Sequence, residues 1–493
     1  MAGFEISRQV TSAAFWSYLG VFADRLITFL LFLVIARVVP HRDFGVVLLS
    51  MLTVELLQAV LDTGLATALI RQSEVSDSAR DSAFIINLGA ALLIGAAVYA
   101  AAPALAGLSH DVKAVPMLRA LAFAPLLAGL GSVHVALLQR DLGFKQLAAR
   151  RAGASLVASV AAIVLALGGL GVWALVARTL LLAAGGTVAA WIAHPFRPTL
   201  RFDWREVRQI APTGLQLWGS NLAHQVNARG FDMFAGVILG PAALAALRVA
   251  GQLIMLLIDL TAAPLTAVGF SVMSRARDDL PRRQDAFSVF AETSALLLFP
   301  AFVGLFVVGD PLLPLMFGSR WAMASALLPF MCAIAPPLYV QLCVTAALFA
   351  AGRADQILRW SLIEAALTLG LGLACARWGL VGLAVAGTLR LYLMAPFACR
   401  WLKRDAGLDA RLLLTAAAPS AVAAATMGLL AWMLKVVLSQ WLAPAPLLFI
   451  VIGAGAAGYV AMAPTASPRT WAWVRDAVVD LRLGRRALAQ SDE

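Results

Sequence analysis

Charged side chains interrupt long apolar runs at a small set of positions: Asp24, Arg25, Glu55, Asp62, Arg178, Arg229, Asp232, Arg248, Asp259, Glu364 and Arg390. A guanidinium is planar, permanently charged and forked, which suits it to oxyanions. Arg25, Arg178, Arg229, Arg248 and Arg390 are therefore candidates to hold an anionic headgroup. A carboxylate in a low-dielectric cavity holds its proton more tightly than in water and can carry it between two states. Asp24, Glu55, Asp62, Asp232, Asp259 and Glu364 are candidates for such proton coupling or for sodium coupling, and nothing in the sequence selects one of them. A third group is neutral: Gln216, Asn221, Gln225 and Asn227 stand in one polar run with His224, Arg229 and Asp232. Their amides both donate and accept, which matches sugar hydroxyls. Gln225, Arg229 and Asp232 fall at spacings of four and three, on one face of a helix. Structural roles compete with these readings. Arg25 can face a cavity or pair with Asp62 or Glu55, the amides can join helices to one another, and His224 reads as a satisfied structural histidine.

The elements that must position these groups follow from composition. The chain has 493 residues, of which 61% are hydrophobic and only 13% charged. Soluble domains carry about 25% charged residues, so most of this surface must face lipid. The net charge of +11 points to basic membrane loops rather than to nucleic acid, because the arginines lie in short connections between apolar runs. A helix needs about twenty mostly apolar residues to cross a bilayer. Such runs occur near 11–36, 44–70, 81–107, 120–138, 152–169, 171–193, 210–238, 242–272, 285–309, 322–349, 360–376, 379–399, 412–434 and 443–464. No period-two alternation marks a β-barrel.

With the N-terminus in the cytoplasm, about 26 of the 38 Lys and Arg fall on cytoplasmic segments, in line with the positive-inside rule. Those opposite are Arg37, Arg42, Lys113, Arg119, Arg320, Arg377 and Lys435. Both termini are then cytoplasmic. The polar segment 194–209 is the longest between helices, and the longest connection on the opposite side lies around 310–321. The basic tail 465–493 reads either as an amphipathic segment on an anionic leaflet or as a solvated anchor. A weak repeat aligns VIARVVPHRDFGVVLLS (34–50) with AGVILGPAALAALRVAG (235–251). Six helices separate the copies, so they point the same way. The expected fold is an all-α membrane protein of about fourteen transmembrane helices. Two six-helix lobes in a parallel pseudo-repeat, plus two C-terminal helices, surround a central cavity. The divisions are 1–193 for the first lobe, 194–209 for the linker, 210–399 for the second lobe, 400–464 for a basic loop and the last two helices, and 465–493 for the tail. Pro212, Gly214, Pro264 and Pro336–Pro337 are expected to bend their spans.

Enzyme motifs are absent. There is no Walker loop, GxSxG or HExxH, and the polar segments are too short for a catalytic domain. Cys332, Cys343, Cys375 and Cys399 have no metal-ligand spacing and read as small buried residues. Neither a metal nor a bound cofactor is expected.

The opening SAAFWSYLGVFADRLITFLLFLVIARVVPHRDFGVVLLSMLTVELLQAVLDTGLATALIRQ (12–72) resembles the start of Wzx-type oligosaccharide flippases, the polysaccharide-transport branch of the MOP superfamily. NARGFDMFAGVILGPAALAALRVAGQL (227–253) and MFGSRWAMASALLPFM (316–331) resemble later parts of the same family. The resemblance runs through most of the first 400 residues and does not cover the basic tail. It implies a bacterial inner-membrane flippase. Its substrate would be an undecaprenyl-diphosphate-linked oligosaccharide, turned from the cytoplasmic to the periplasmic leaflet by alternating access for exopolysaccharide, O-antigen or capsule. A polymerase or export complex would be its protein partner. Competing readings are a MATE-type or lipid II exporter of the same superfamily, and a non-transporting membrane partner in polysaccharide assembly.

Overall fold

A segment in lipid must satisfy its own backbone N–H and C=O groups, which a helix does internally. The structure, a computed structural model, describes residues 25–61, 64–70, 75–109, 111–141, 144–199, 201–275 and 280–466, and no strand occurs among them. In chain order the helices are α1 (25–38), α2 (His41–Leu61), α3 (Leu65–Leu69), α4 (Asp77–Ala106), α5 (Ala114–Leu121), α6 (Phe123–Arg140), α7 (Phe144–Leu165), α8 (Trp173–Ala193) and α9 (Trp204–Phe234). They continue with α10 (Pro241–Arg275), α11 (Leu280–Phe317), α12 (Ala322–Ser325), α13 (Leu328–Cys332), α14 (Ala335–Ala350), α15 (Ala354–Cys375), α16 (Gly379–Ala406), α17 (Arg411–Leu438) and α18 (Pro444–Ala466). Asp24, Asp62, the start of the expected first span and the tail from 467 lie outside the described residues.

Ten stretches of the described chain are long and apolar enough to cross a membrane, and one of them, Gln356–Ala406, takes in most of α15 and all of α16. The chain is thus a multi-pass helical membrane protein. Helices α2 and α9 are not among the ten, and they carry several of the ionisable and amide side chains singled out above. Two expectations change in detail. The connection placed around 310–321 is largely helical, because α11 runs to Phe317 through Pro311 and Pro314. The span at 322–349 is divided into α12, α13 and α14, with a proline in the first two positions of both α13 and α14. There the missing N–H costs nothing, so Pro336–Pro337 begin a helix rather than bend one.

Contacts divide the chain into two compact units, residues 1–249 with 365–383, and residues 250–364 with 384–493. This division differs from the lobes expected at 1–193 and 210–399: α9 and the start of α10 group with α1–α8. The physical reason lies in backbone contacts and ion pairs linking α2 to α9 and α10, described below. In the first unit Leu65, Leu69, Phe84, Val133, Leu137 and Ile210 share a core. The 194–203 segment is tied to α4. Buried Asp81 accepts hydrogen bonds from the Thr199 hydroxyl and amide and from the Arg201 amide, and Ser82 accepts one from the Asp203 amide. In the second unit α17 and α18 pack on α11 through Val307, Val308, Ala431, Leu447 and Val451. Lys435 pairs there with Asp310, and the Tyr459 hydroxyl donates to the Leu296 carbonyl. Cys332, Cys343 and Cys375 are buried and Cys399 is half-buried.

Candidate functional site

Glycine lets two backbones touch on either side of Glu55. A Cβ at Gly45 in α2 would overlap the Pro241 carbonyl at the start of α10, and one at Gly64 would overlap the Gly214 carbonyl of α9. Gly64 also has φ +64°, a conformation that favours glycine. Pro241 is the repeat counterpart of Pro40, so the repeat unit of the second copy abuts that of the first. At 1.5 Å per residue, Glu55 lies about 15 Å along the helix axis from Gly45.

Between these contacts the structure gathers four of the candidate residues. Arg229 Nε lies 3.2 Å from Glu55 Oε2, and Arg229 Nη1 lies 4.0 Å from Asp232 Oδ2. Arg248 Nε approaches Asp232 Oδ2 to 2.7 Å, without an aligned hydrogen bond at that nitrogen. Asp232 is the least exposed of the four at 15%, and Glu55 the most at 40%. Asp232 is therefore shared by two guanidiniums from α9 and α10, while Glu55 holds α2 to one of them. Arg25 of α1 is exposed and close enough to act electrostatically on Arg229. Among the described residues this site sets three guanidiniums against two carboxylates. Such an arrangement can exchange a carboxylate partner for the oxyanions of a ligand, in the charge-assisted geometry that arginine favours.

The other candidates are placed differently. Arg178 donates to the Thr28 hydroxyl at 2.8 Å and to the Ser159 hydroxyl at 3.3 Å, tying α8 to α1 and α7. Gln216 and Asn221 are exposed on α9, whereas Gln225 and Asn227 are half-buried. The Thr368 hydroxyl donates to the Asn227 side-chain carbonyl at 3.4 Å. Sequence reading missed Thr368, although its spacing of four from Glu364 on α15 was available as a signal. Arg390 and Glu364 pair with each other in the second unit, Nη2 to Oε1 at 3.2 Å. Asp259 is half-buried on α10 in the same unit. Among the described residues no cluster of His, Cys, Asp and Glu has the makings of a metal site.

Comparison with known proteins matches this helical frame. Residues 34–326 fit the model of the polysaccharide biosynthesis protein family, and the chain belongs to that family. It is 25% identical over 365 residues, 74% of each chain, to the succinoglycan biosynthesis transport protein ExoT of Rhizobium meliloti. It is 22% identical over 341 residues, 67% of each chain, to the lipopolysaccharide biosynthesis protein WzxC of Escherichia coli. In fold it is similar to the lipid II flippase MurJ in an inward closed conformation: TM-score 0.73, 13% identity, covering 94% of this chain and 99% of that one. A MATE transporter in a bent conformation gives TM-score 0.54 at 18% identity, covering 83% and 97%. The described residues thus share the helical fold of these two membrane proteins.

Proposed function

We propose that the protein is a flippase for undecaprenyl-diphosphate-linked oligosaccharide. It moves the repeat unit from the cytoplasmic to the periplasmic leaflet by alternating access, in exopolysaccharide, O-antigen or capsule assembly. The observation that carries this reading is the Arg229, Arg248, Glu55 and Asp232 cluster held between two close backbone contacts of α2. In the empty state the carboxylates satisfy the guanidiniums, which would otherwise be costly at membrane depth. An arriving diphosphate takes over Arg25, Arg229 and Arg248, releases Glu55, and loosens the link between α2 and α9. The amides of Gln216, Asn221, Gln225 and Asn227 line the path for the sugars. Uptake of a proton or sodium ion at a released carboxylate resets the cycle, with Glu55 and Asp232 the first candidates. The protein sits in the inner membrane with both termini cytoplasmic. A polymerase or export complex receives the product, and the chain itself carries out no covalent chemistry.

Deleting the gene tests the proposal. Oligosaccharide on undecaprenyl diphosphate should accumulate on the cytoplasmic face, and Arg25→Ala or Arg248→Ala should reproduce the defect while protein stays in the membrane. Normal surface polysaccharide without accumulation sinks the assignment. Accumulation of lipid II instead would favour the exporter reading suggested by the similarity in fold to MurJ. Export by both arginine variants at the parental rate removes the diphosphate role.

A further inference from the structure

A cavity separate from the α2, α9 and α10 cluster opens among α3, α4, α6, α7 and α8 of the first unit. Its volume is about 390 Å³, within the ~300–1,000 Å³ usual for small-molecule sites. Its polar lining is Thr67, Asn87, Ser132, Gln139, Arg150 and Thr187. Arg150, half-buried in the first two turns of α7, is the only charged residue in the lining, which among the described residues holds no carboxylate.

The guanidinium has only part of what it needs. Nη1 donates to the Gly186 carbonyl at 3.1 Å, and Nε, buried from solvent, has no hydrogen-bond partner among the described residues. Glycine at 186 makes the approach feasible, since a Cβ there would already stand 3.3 Å from Nη1. A guanidinium with an enclosed, unmet donor and no counter-charge among the described residues of the lining is costly in a low-dielectric setting. As part of the cavity lining, the Arg150 guanidinium can donate charge-assisted hydrogen bonds to a planar oxyanion. Ser132 and Thr187 spend their hydroxyl protons on the Gly129 and Leu127 carbonyls, which leaves their oxygens as acceptors. With the Gln139 amide they provide the mixed donors and acceptors that sugar hydroxyls use.

We infer that this cavity binds an acidic saccharide, with Arg150 on its carboxylate. It thus serves as a selectivity subsite for a uronate-type residue of the transported repeat unit. The inference rests on the flippase reading for its biological meaning, and the binding it claims can be measured without transport.

The test uses the full-length protein in nanodiscs of neutral phosphatidylcholine, titrated calorimetrically with a glucuronate-containing disaccharide and with its neutral glucose counterpart. The acidic disaccharide should bind more tightly than the neutral one. Arg150→Gln should lower its affinity by about tenfold or more, as expected for hydrogen bonds to a charged group, and should lower that of the neutral sugar by less, so that the acidic preference is lost. Arg150→Lys should keep part of the preference, and a matched elution profile and thermal midpoint show that each variant is folded. If Arg150→Gln fails to fold, loss of the acidic preference in folded Gly186→Val, which crowds the guanidinium, decides the matter. Equal binding of the two sugars by the parent protein overturns the inference, as does an acidic preference that survives in the folded variants. Doping the nanodiscs with phosphatidylglycerol separates a lipid source: if that lipid occupies the site and excludes the disaccharide, the saccharide assignment falls. These outcomes leave the flippase reading standing, because that reading depends on the lipid-linked intermediates in the deletion strain.

Discussion

Arg390 and Glu364 face each other at 3.2 Å with 13% and 9% of their side chains exposed. A pair so enclosed contributes little net stability, but removing one member takes this partner from a buried charge, at about 3–5 kcal/mol. Arg390→Ala and Glu364→Ala should each destabilise the protein by that order. Replacing both with Met and Leu should restore most of the loss, because apolar residues of similar volume can substitute for a buried ion pair. Thermal unfolding in detergent checks this, and export by the double variant would mark the pair as structural rather than part of the transport path. Arg229 and Arg248 differ in kind. Each draws on Asp232, one of them also on Glu55, and both are more exposed than Arg390. That these charges stand within apolar runs was legible in the sequence, because a charge in such a run is conspicuous wherever it stands. Which carboxylate answers which arginine was not, because Glu55 and Arg229 are far apart in the chain and meet only through helix packing.

Helix α2 carries the seam of the first unit. It touches α10 at Gly45, exchanges charge with α9 at Glu55, and gives way at Gly64 to the contact with α9. Backbone overlap of this kind leaves no room for a side chain, so Gly45→Val should hold α2 away from α10. The expected consequence is a cavity left open at that end. A cysteine introduced at Gln225 should then react faster with a membrane-impermeant thiol reagent added from the periplasmic side than the same cysteine in the parent. An unchanged labelling rate would mean that the Gly45 contact does not close the path. The segment after α8 makes a related point. Its composition marks it as a basic linker, yet residues 194–203 are fastened to α4 by the buried carboxylate of Asp81. Asp81 opens an apolar run in the sequence, where it looks like an ordinary helix-end residue, and its partners appear only once the chain folds back.

For the molecule as a whole, the distribution of basic residues carries the topology. Arg and Lys concentrate on one set of connections, and from the rule that such loops stay cytoplasmic both ends of the chain are expected there. A C-terminal green fluorescent protein fusion should therefore fluoresce, and alkaline phosphatase inserted after Trp441, between α17 and α18, should be active. The reverse pattern would overturn the orientation. The membrane class, the helical architecture of the described residues and the catalogue of charges in apolar runs were determined by the sequence alone, because lipid penalises each polar group where it stands and each helix satisfies its own backbone. Tertiary structure alone decided the rest: the grouping of α9 with the helices before it, the division of one expected span into α12, α13 and α14, the pairing of Asp232 with two arginines, and the cavity around Arg150. Those features arise from contacts between segments distant in sequence. Apolar helices in lipid are driven together by packing detail and a few polar contacts rather than by burial of a hydrophobic face, and so they leave little trace in hydropathy.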